Sequence, residues 1–179
     1  MNNKYWVVSV FILIVLFSCQ NNNARRPVVR KSASFLGKTV DLNKKNLERE
    51  TIIIKDYITQ DSLFEYHKTK KGFWYAYKTS VPGGEYPKKG DVLLFEQEVS
   101  NLANEVLHSK EELGLQTYVV DKEHIINGLQ DGLKLMKAGE EVKFIFSSYV
   151  AYSTLGDKSN KIGVHEPIIS TIKLINIKN

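Results

Sequence analysis

Several absences bound this 179-residue chain before any motif is read. It holds a single cysteine, Cys19, so no intrachain disulfide can form and no catalytic cysteine is paired with a base in its body. Its four histidines do not cluster, which leaves no metal-ligand spacing. The net charge is +5, but no arginine-rich tract or basic-aromatic pattern accompanies it. The lysines are scattered among acids, as on a solvated surface, and nucleic acid is not an expected partner. No internal repeat is present. The longest apolar run, Tyr5 to Phe17, would make a helix of about 20 Å, short of the ~30 Å hydrocarbon core of a bilayer.

That run sits where a secretory signal would. Lys4 supplies a positive start, the apolar stretch follows, and Leu16-Phe17-Ser18-Cys19 closes it. The ending is similar to a bacterial lipobox, which implies cleavage before Cys19 and acyl chains, palmitate among them, on that residue. More than one chain suffices for stable anchoring. Residues 1–18 are therefore expected to be a lipoprotein signal peptide. Residues 19–34, polar and basic with three consecutive asparagines, are expected to be a flexible tether. No acidic cluster follows Cys19, so the expected location is the cell envelope, on the inner or outer membrane, facing the periplasm.

Residues 35–71 are expected to form a helical arm. Leu47, Thr51, Ile54 and Ile58 recur at helical spacing within 42–59, on a narrow face that suits docking on the chain's own body, dimerisation or a partner. Strands are expected at 72–79, 92–99, 116–120, 142–146 and 168–177. Val81-Pro82-Gly83-Gly84 and Lys89-Gly90-Asp91 mark turns between them. A helix is expected at 125–136, with Ile126, Leu129, Leu133 and Met136 on one face and Gly139 at its exit. Strands outnumber helices. The pattern is that of an α+β domain at 72–179, an antiparallel sheet of five to six strands wrapped around one short helix.

Four segments carry a resemblance: Lys89-Gly90-Asp91-Val92, Ile125 to Leu133, Met136-Lys137-Ala138-Gly139-Glu140, and Ala151-Tyr152. In order and spacing they are similar to the core of FKBP-type peptidyl-prolyl cis-trans isomerases. The resemblance implies an FKBP-like fold and rotation about the bond before a proline in polypeptide clients, with no cofactor and no metal. Carried over, Tyr152 places a hydroxyl donor at the pocket rim. Ile126 offers its backbone N–H, Ile125 and Ile126 line the pocket, Leu129 is its floor and Ile162 a wall. Leu107-His108 stands where the family has Phe-Asp, so Leu107 is an expected substrate-binding residue and His108 the candidate for the missing polar group. Gln97 and Ser170 stand where the family has aromatics. Gln116 falls at a third such position, and Tyr118 is the nearby substitute.

The segment Leu107-His108-Ser109-Lys110-Glu111-Glu112-Leu113-Gly114 resembles more narrowly the gliding-motility-associated FKBP-type lipoproteins of Bacteroidota. That implies service to components of a motility and secretion machine. Two readings stay open: an isomerase that assists folding of envelope proteins, and a catalytically weak or inactive binding scaffold.

Overall fold

The computed structural model describes residues 32–153 and 155–178. The signal peptide and lipidation site, and the tether up to residue 31, lie outside the described residues. The chain divides into two units, Met1–Lys38 and Thr39–Asn179; of the first, only the opening turns of one helix are described.

That helix, α1 (Ser32–Gln60), begins ten residues before the periodic stretch and takes in Ser32 to Ser34, expected as tether. It is followed by β1 (His67–Lys68), β2 (Phe73–Thr79), β3 (Val92–Ser100), β4 (Val106–His108), α2 (Lys110–Leu113), β5 (Gln116–Val119), α3 (Asn127–Leu133), β6 (Glu141–Phe146) and β7 (Ile168–Lys178). The sheet is antiparallel, ordered β1-β2-β6-β7-β3-β4, with β5 also paired to β3. It has seven strands, because two-residue β1 and three-residue β4 add to the five longer ones.

Side-chain alternation sorts the sheet into two faces. On one, Phe73, Phe146 and Ile168 lie in register across β2, β6 and β7, beside the row Tyr75, Phe144 and Ser170. All of these but Ser170 belong to, or pack against, the main core, with Leu129, Leu133 and Met136 from and after α3. The helix approaches closely because Gly128 and Gly132 face the rings of Phe146 and Phe144. A Cβ on Gly128 would stand 2.5 Å from the Phe146 ring. On the opposite face, Trp74, Ile145 and Ile169 cover Ile54 of α1, with Tyr57 and Ile58 beside it. The arm thus docks on its own domain through the second half of its expected stripe. Leu47 stays exposed, and Thr51 turns its hydroxyl to the Leu47 carbonyl. Lys143 of β6 adds a polar clamp, donating to Tyr57 Oη (2.6 Å) and Asp61 Oδ2 (2.7 Å).

Helix α3 is shorter than the expected 125–136. Ile126 is extended (φ −56°, ψ 141°) and serves as its N-cap, while residues beyond Leu133 form turns rather than α-helix. Gly139 (φ 89°) therefore shapes the entry to β6 rather than capping α3, its N–H donating to the Leu174 carbonyl. Glu111 and Glu112 lie in the single turn α2. Ser109 caps it by accepting from the Glu112 N–H at 3.2 Å. Among the described residues no helix is long and apolar enough to cross a membrane.

Candidate active site

A cleft of about 720 Å³ opens between the start of α3, the β3–β4 end of the sheet and the loop after β6. Its walls are apolar where Val99, Ile125, Ile126 and Leu129 meet it, and polar where Gln97, His108, Tyr152 and Asp157 do. Five of the expected site residues are thus brought together: His108, Ile125, Ile126, Leu129 and Tyr152. Local structure explains each placement. The extended backbone at Ile125-Ile126 runs along the rim, and α3 turns Leu129 inward against the sheet. The Ile126 N–H makes no hydrogen bond with any described residue, so it can donate to a ligand.

Tyr152 follows a short 3₁₀ turn, Ser148–Val150, that leaves the end of β6. Its hydroxyl has no hydrogen-bond partner among the described residues. Burial, and then the negative charge of Asp157, push its pKa above the usual phenol value, so it stays a protonated donor at neutral pH.

Three of the expected site residues, Leu107, Tyr118 and Ile162, are not among those that line the cleft. Tyr118 does not line the cleft: it is fully buried opposite Leu93, and its hydroxyl accepts from the Asp121 N–H at 3.1 Å. Ile162 is buried in the core rather than forming a wall, although its N–H helps build the site by donating to Asp157 Oδ1 at 2.9 Å. Leu107 packs against the core, and His108, next along β4, is the residue that reaches the cleft.

Asp157 is the group that sequence reasoning missed. Its carboxylate is 2.9 Å from His108 Nε2 and its side chain is nearly buried. Burial alone would raise its pKa. Hydrogen bonds from the Ser159 hydroxyl, the Ile162 N–H and His108 outweigh burial and hold the group well below the usual carboxylate range. His108 Nδ1 faces Glu112 Oε1 at 3.2 Å, so the imidazole bridges α2 and the loop. The anion absent at position 108 is supplied 49 residues later. Its available signal was the turn-forming run Gly156-Asp157-Lys158-Ser159-Asn160. Gly156 is required there: its φ is 70°, and a Cβ would lie 2.6 Å from the Ile162 carbonyl oxygen.

The two polar replacements also find each other. Gln97 Nε2 donates to Ser170 Oγ at 2.9 Å across β3 and β7, in a buried pair one step diagonal in register. Among the described residues no group of His, Cys, Asp or Glu is placed to hold a metal.

The family model described as FKBP-type peptidyl-prolyl cis-trans isomerase matches residues 83–175, which include every cleft residue named above. The chain belongs to this family. No curated protein sequence matches it. Among solved structures, this FKBP chain is similar to a peptidyl-prolyl cis-trans isomerase from Pseudomonas syringae pv. tomato (TM-score 0.61, 16% identity, 76% of this chain and 96% of that one). FkpA from Escherichia coli is equally similar (TM-score 0.61, 15% identity, 99% and 83%). The N-terminal domain of FKBP42 from Arabidopsis thaliana follows (TM-score 0.58, 16%, 64% and 93%). At these identities the likeness speaks for the fold.

The cleft of this FKBP domain suits prolyl isomerisation. The barrier of ~18–20 kcal/mol comes from lost amide resonance. The planar amide is the more charge-separated form, so an apolar, water-poor wall favours the twisted one. The Ile126 N–H and the Tyr152 hydroxyl, both at this cleft and without a partner among the described residues, are donors free for a carbonyl oxygen. About 5 kcal/mol of such preference corresponds to roughly 10³–10⁴-fold acceleration.

Proposed function

We propose that this chain is a membrane-anchored peptidyl-prolyl cis-trans isomerase of the cell envelope, held by lipid on Cys19 and facing the periplasm. Its clients are proline-containing stretches of envelope proteins. The observation that carries the reaction is the convergence of two unengaged donors, the Ile126 N–H and the Tyr152 hydroxyl, on one largely apolar cleft. The lipobox-like Leu16 to Cys19 supports the anchor. The likeness of Leu107 to Gly114 to gliding-motility lipoproteins supports components of a motility and secretion machine as clients.

A second reading is favoured by one feature. Gln97, where the family has an aromatic, lines the cleft and donates to the buried Ser170 hydroxyl, and this more polar lining suits a binding or chaperone scaffold with little catalysis.

The test uses the full chain in detergent with a protein whose refolding is limited by a proline bond. The isomerase reading expects that slow phase to accelerate and the acceleration to vanish in Tyr152→Phe. The scaffold reading expects an unchanged phase with reduced aggregation. For the anchor, Cys19→Ser is expected to move the protein from the membrane fraction to the soluble one; retention in the membrane would exclude lipid on Cys19.

A further inference from the structure

Glu50 lies outside the matched family region, on α1, yet it holds the segment that presents Tyr152. It is buried, at 5% relative exposure. One carboxylate oxygen accepts from the Ser148 hydroxyl at 2.6 Å and the other from the Ser148 N–H at 2.9 Å. Among the described residues Ser148 is its only hydrogen-bond partner, and no lysine or arginine pairs with it. A buried carboxylate satisfied by neutral donors alone is an expensive way to dock a helix, which apolar residues such as Ile54 achieve one turn later.

What the carboxylate grips explains its presence. Ser148 opens the 3₁₀ turn, and its carbonyl accepts from the N–H groups of Ala151 (3.1 Å) and Ser153 (2.7 Å). These are the two residues flanking Tyr152. Ser153 sits at φ 53° and is held again from outside, its carbonyl accepting from the His165 N–H at 2.9 Å. One short chain of hydrogen bonds therefore runs from Glu50 through Ser148 to both neighbours of Tyr152.

We propose that Glu50 is a positioning residue for prolyl isomerisation, fixing the Tyr152 hydroxyl at the cleft rim through Ser148, so that α1 is part of the active-site scaffold. The proposal rests on the reading that Xaa-Pro bonds turn in the Tyr152 cleft. Because α1 also docks by its apolar face, loss of the Glu50 contact should loosen the loop without releasing the helix.

The experiment compares the full chain in detergent with Glu50→Gln, Ser148→Ala, Tyr152→Phe and the Glu50→Gln/Tyr152→Phe double variant. It reads catalysed exchange of an Ala-Pro tetrapeptide, thermal melting, and the NMR resonance of ring-labelled Tyr152. Gln keeps the size of Glu, but only one of its two terminal atoms can accept. About a tenfold loss of kcat/KM is expected in Glu50→Gln. Melting should fall by only the few degrees that one lost buried hydrogen bond costs, and the Tyr152 resonance should shift or broaden. Ser148→Ala should change that resonance in the same way. In the Tyr152→Phe background, Glu50→Gln should cost little more. An equal loss in that background, or an unmoved Tyr152 resonance, would overturn the proposal. If the parent itself shows no exchange, the isomerase reading fails, and the Tyr152 resonance in Glu50→Gln and Ser148→Ala still decides whether Glu50 positions the ring.

Discussion

Replacing Gly128 with alanine should damage the domain although alanine is the better helix former. A Cβ at Gly128 would fall 2.5, 2.8 and 2.9 Å from three carbons of the Phe146 ring. That ring cannot swing away: it is fully buried, stacked on Phe144 at 5.5 Å and met edge-on by Phe73 at 5.4 Å. Relief must come from moving α3 off the sheet. Overpacking of this severity costs about 3 kcal/mol, and the helix-propensity gain returns about 1 kcal/mol. The net loss of about 2 kcal/mol corresponds to a melting point lower by roughly 4–8 °C in a chain of this size. Movement of α3 also displaces Leu129 and Ile126, so exchange activity should fall with stability. Gly132→Ala is the internal control. Its Cβ would lie 3.0–3.4 Å from the edge of the Phe144 ring, so packing strain and propensity gain should nearly cancel, within about 1 kcal/mol. Thermal melting of both variants is the assay. A Gly128→Ala protein that melts at or above the parent, or a Gly132→Ala protein that loses as much, would refute the reasoning.

Other outcomes follow from the same contacts. Ser170→Ala leaves the buried Gln97 amide without its partner and should cost about 1–3 kcal/mol, whereas the double variant Gln97→Leu/Ser170→Ala should recover most of that loss; urea melts of the three proteins check the cycle. Asp157→Asn should cost about 1–3 kcal/mol at neutral pH, because Asn cannot accept all the bonds the carboxylate does. The folded Asp157 pKa lies below its unfolded value, so the stabilisation is fully present above about pH 4 and is lost as pH falls through the folded value. The gap between parent and variant should therefore be flat from pH 5 to 8 and close only in acid, as melting across pH would show. Ile54→Ala, at a fully buried contact of α1 with the sheet, should cost about 2–5 kcal/mol by denaturant titration; a loss under 0.5 kcal/mol would mean that the arm does not dock there.

Much of the fold was legible because its signals are local. Alternation in β2, β3, β6 and β7 and the turn residues between them place the long strands within a residue or two. The two short strands, β1 and β4, carry too few residues for a period. They exist because β2 and β3 offer them an edge. The shared face of Ile126, Leu129, Leu133 and Met136 marked a helix, but its length was set by the extended backbone at Ile126 and by turns after Leu133. The docking face of α1 was visible at Ile54 and Ile58, whereas Leu47 shared the periodicity without the contact.

The site was legible where the family's residues persist and obscure where they are replaced. Tyr152, Ile125, Ile126 and Leu129 could be carried over position by position. Tyr118 could not: its place opposite Leu93 on the inner row of the sheet buries it. The Asp157 anion, the Gln97–Ser170 pair and the Glu50–Ser148 grip join residues 49, 73 and 98 positions apart, and no spacing rule in the sequence connects them.

The central claim is that Xaa-Pro bonds turn in the cleft beside Tyr152. NMR exchange spectroscopy on the full chain in detergent, with a panel of short Xaa-Pro peptides, tests it most directly. Catalysed cis-trans exchange that falls at least tenfold in Tyr152→Phe, with melting unchanged, is the expected result. Peptide binding with no catalysed exchange, or exchange indifferent to Tyr152, would contradict it.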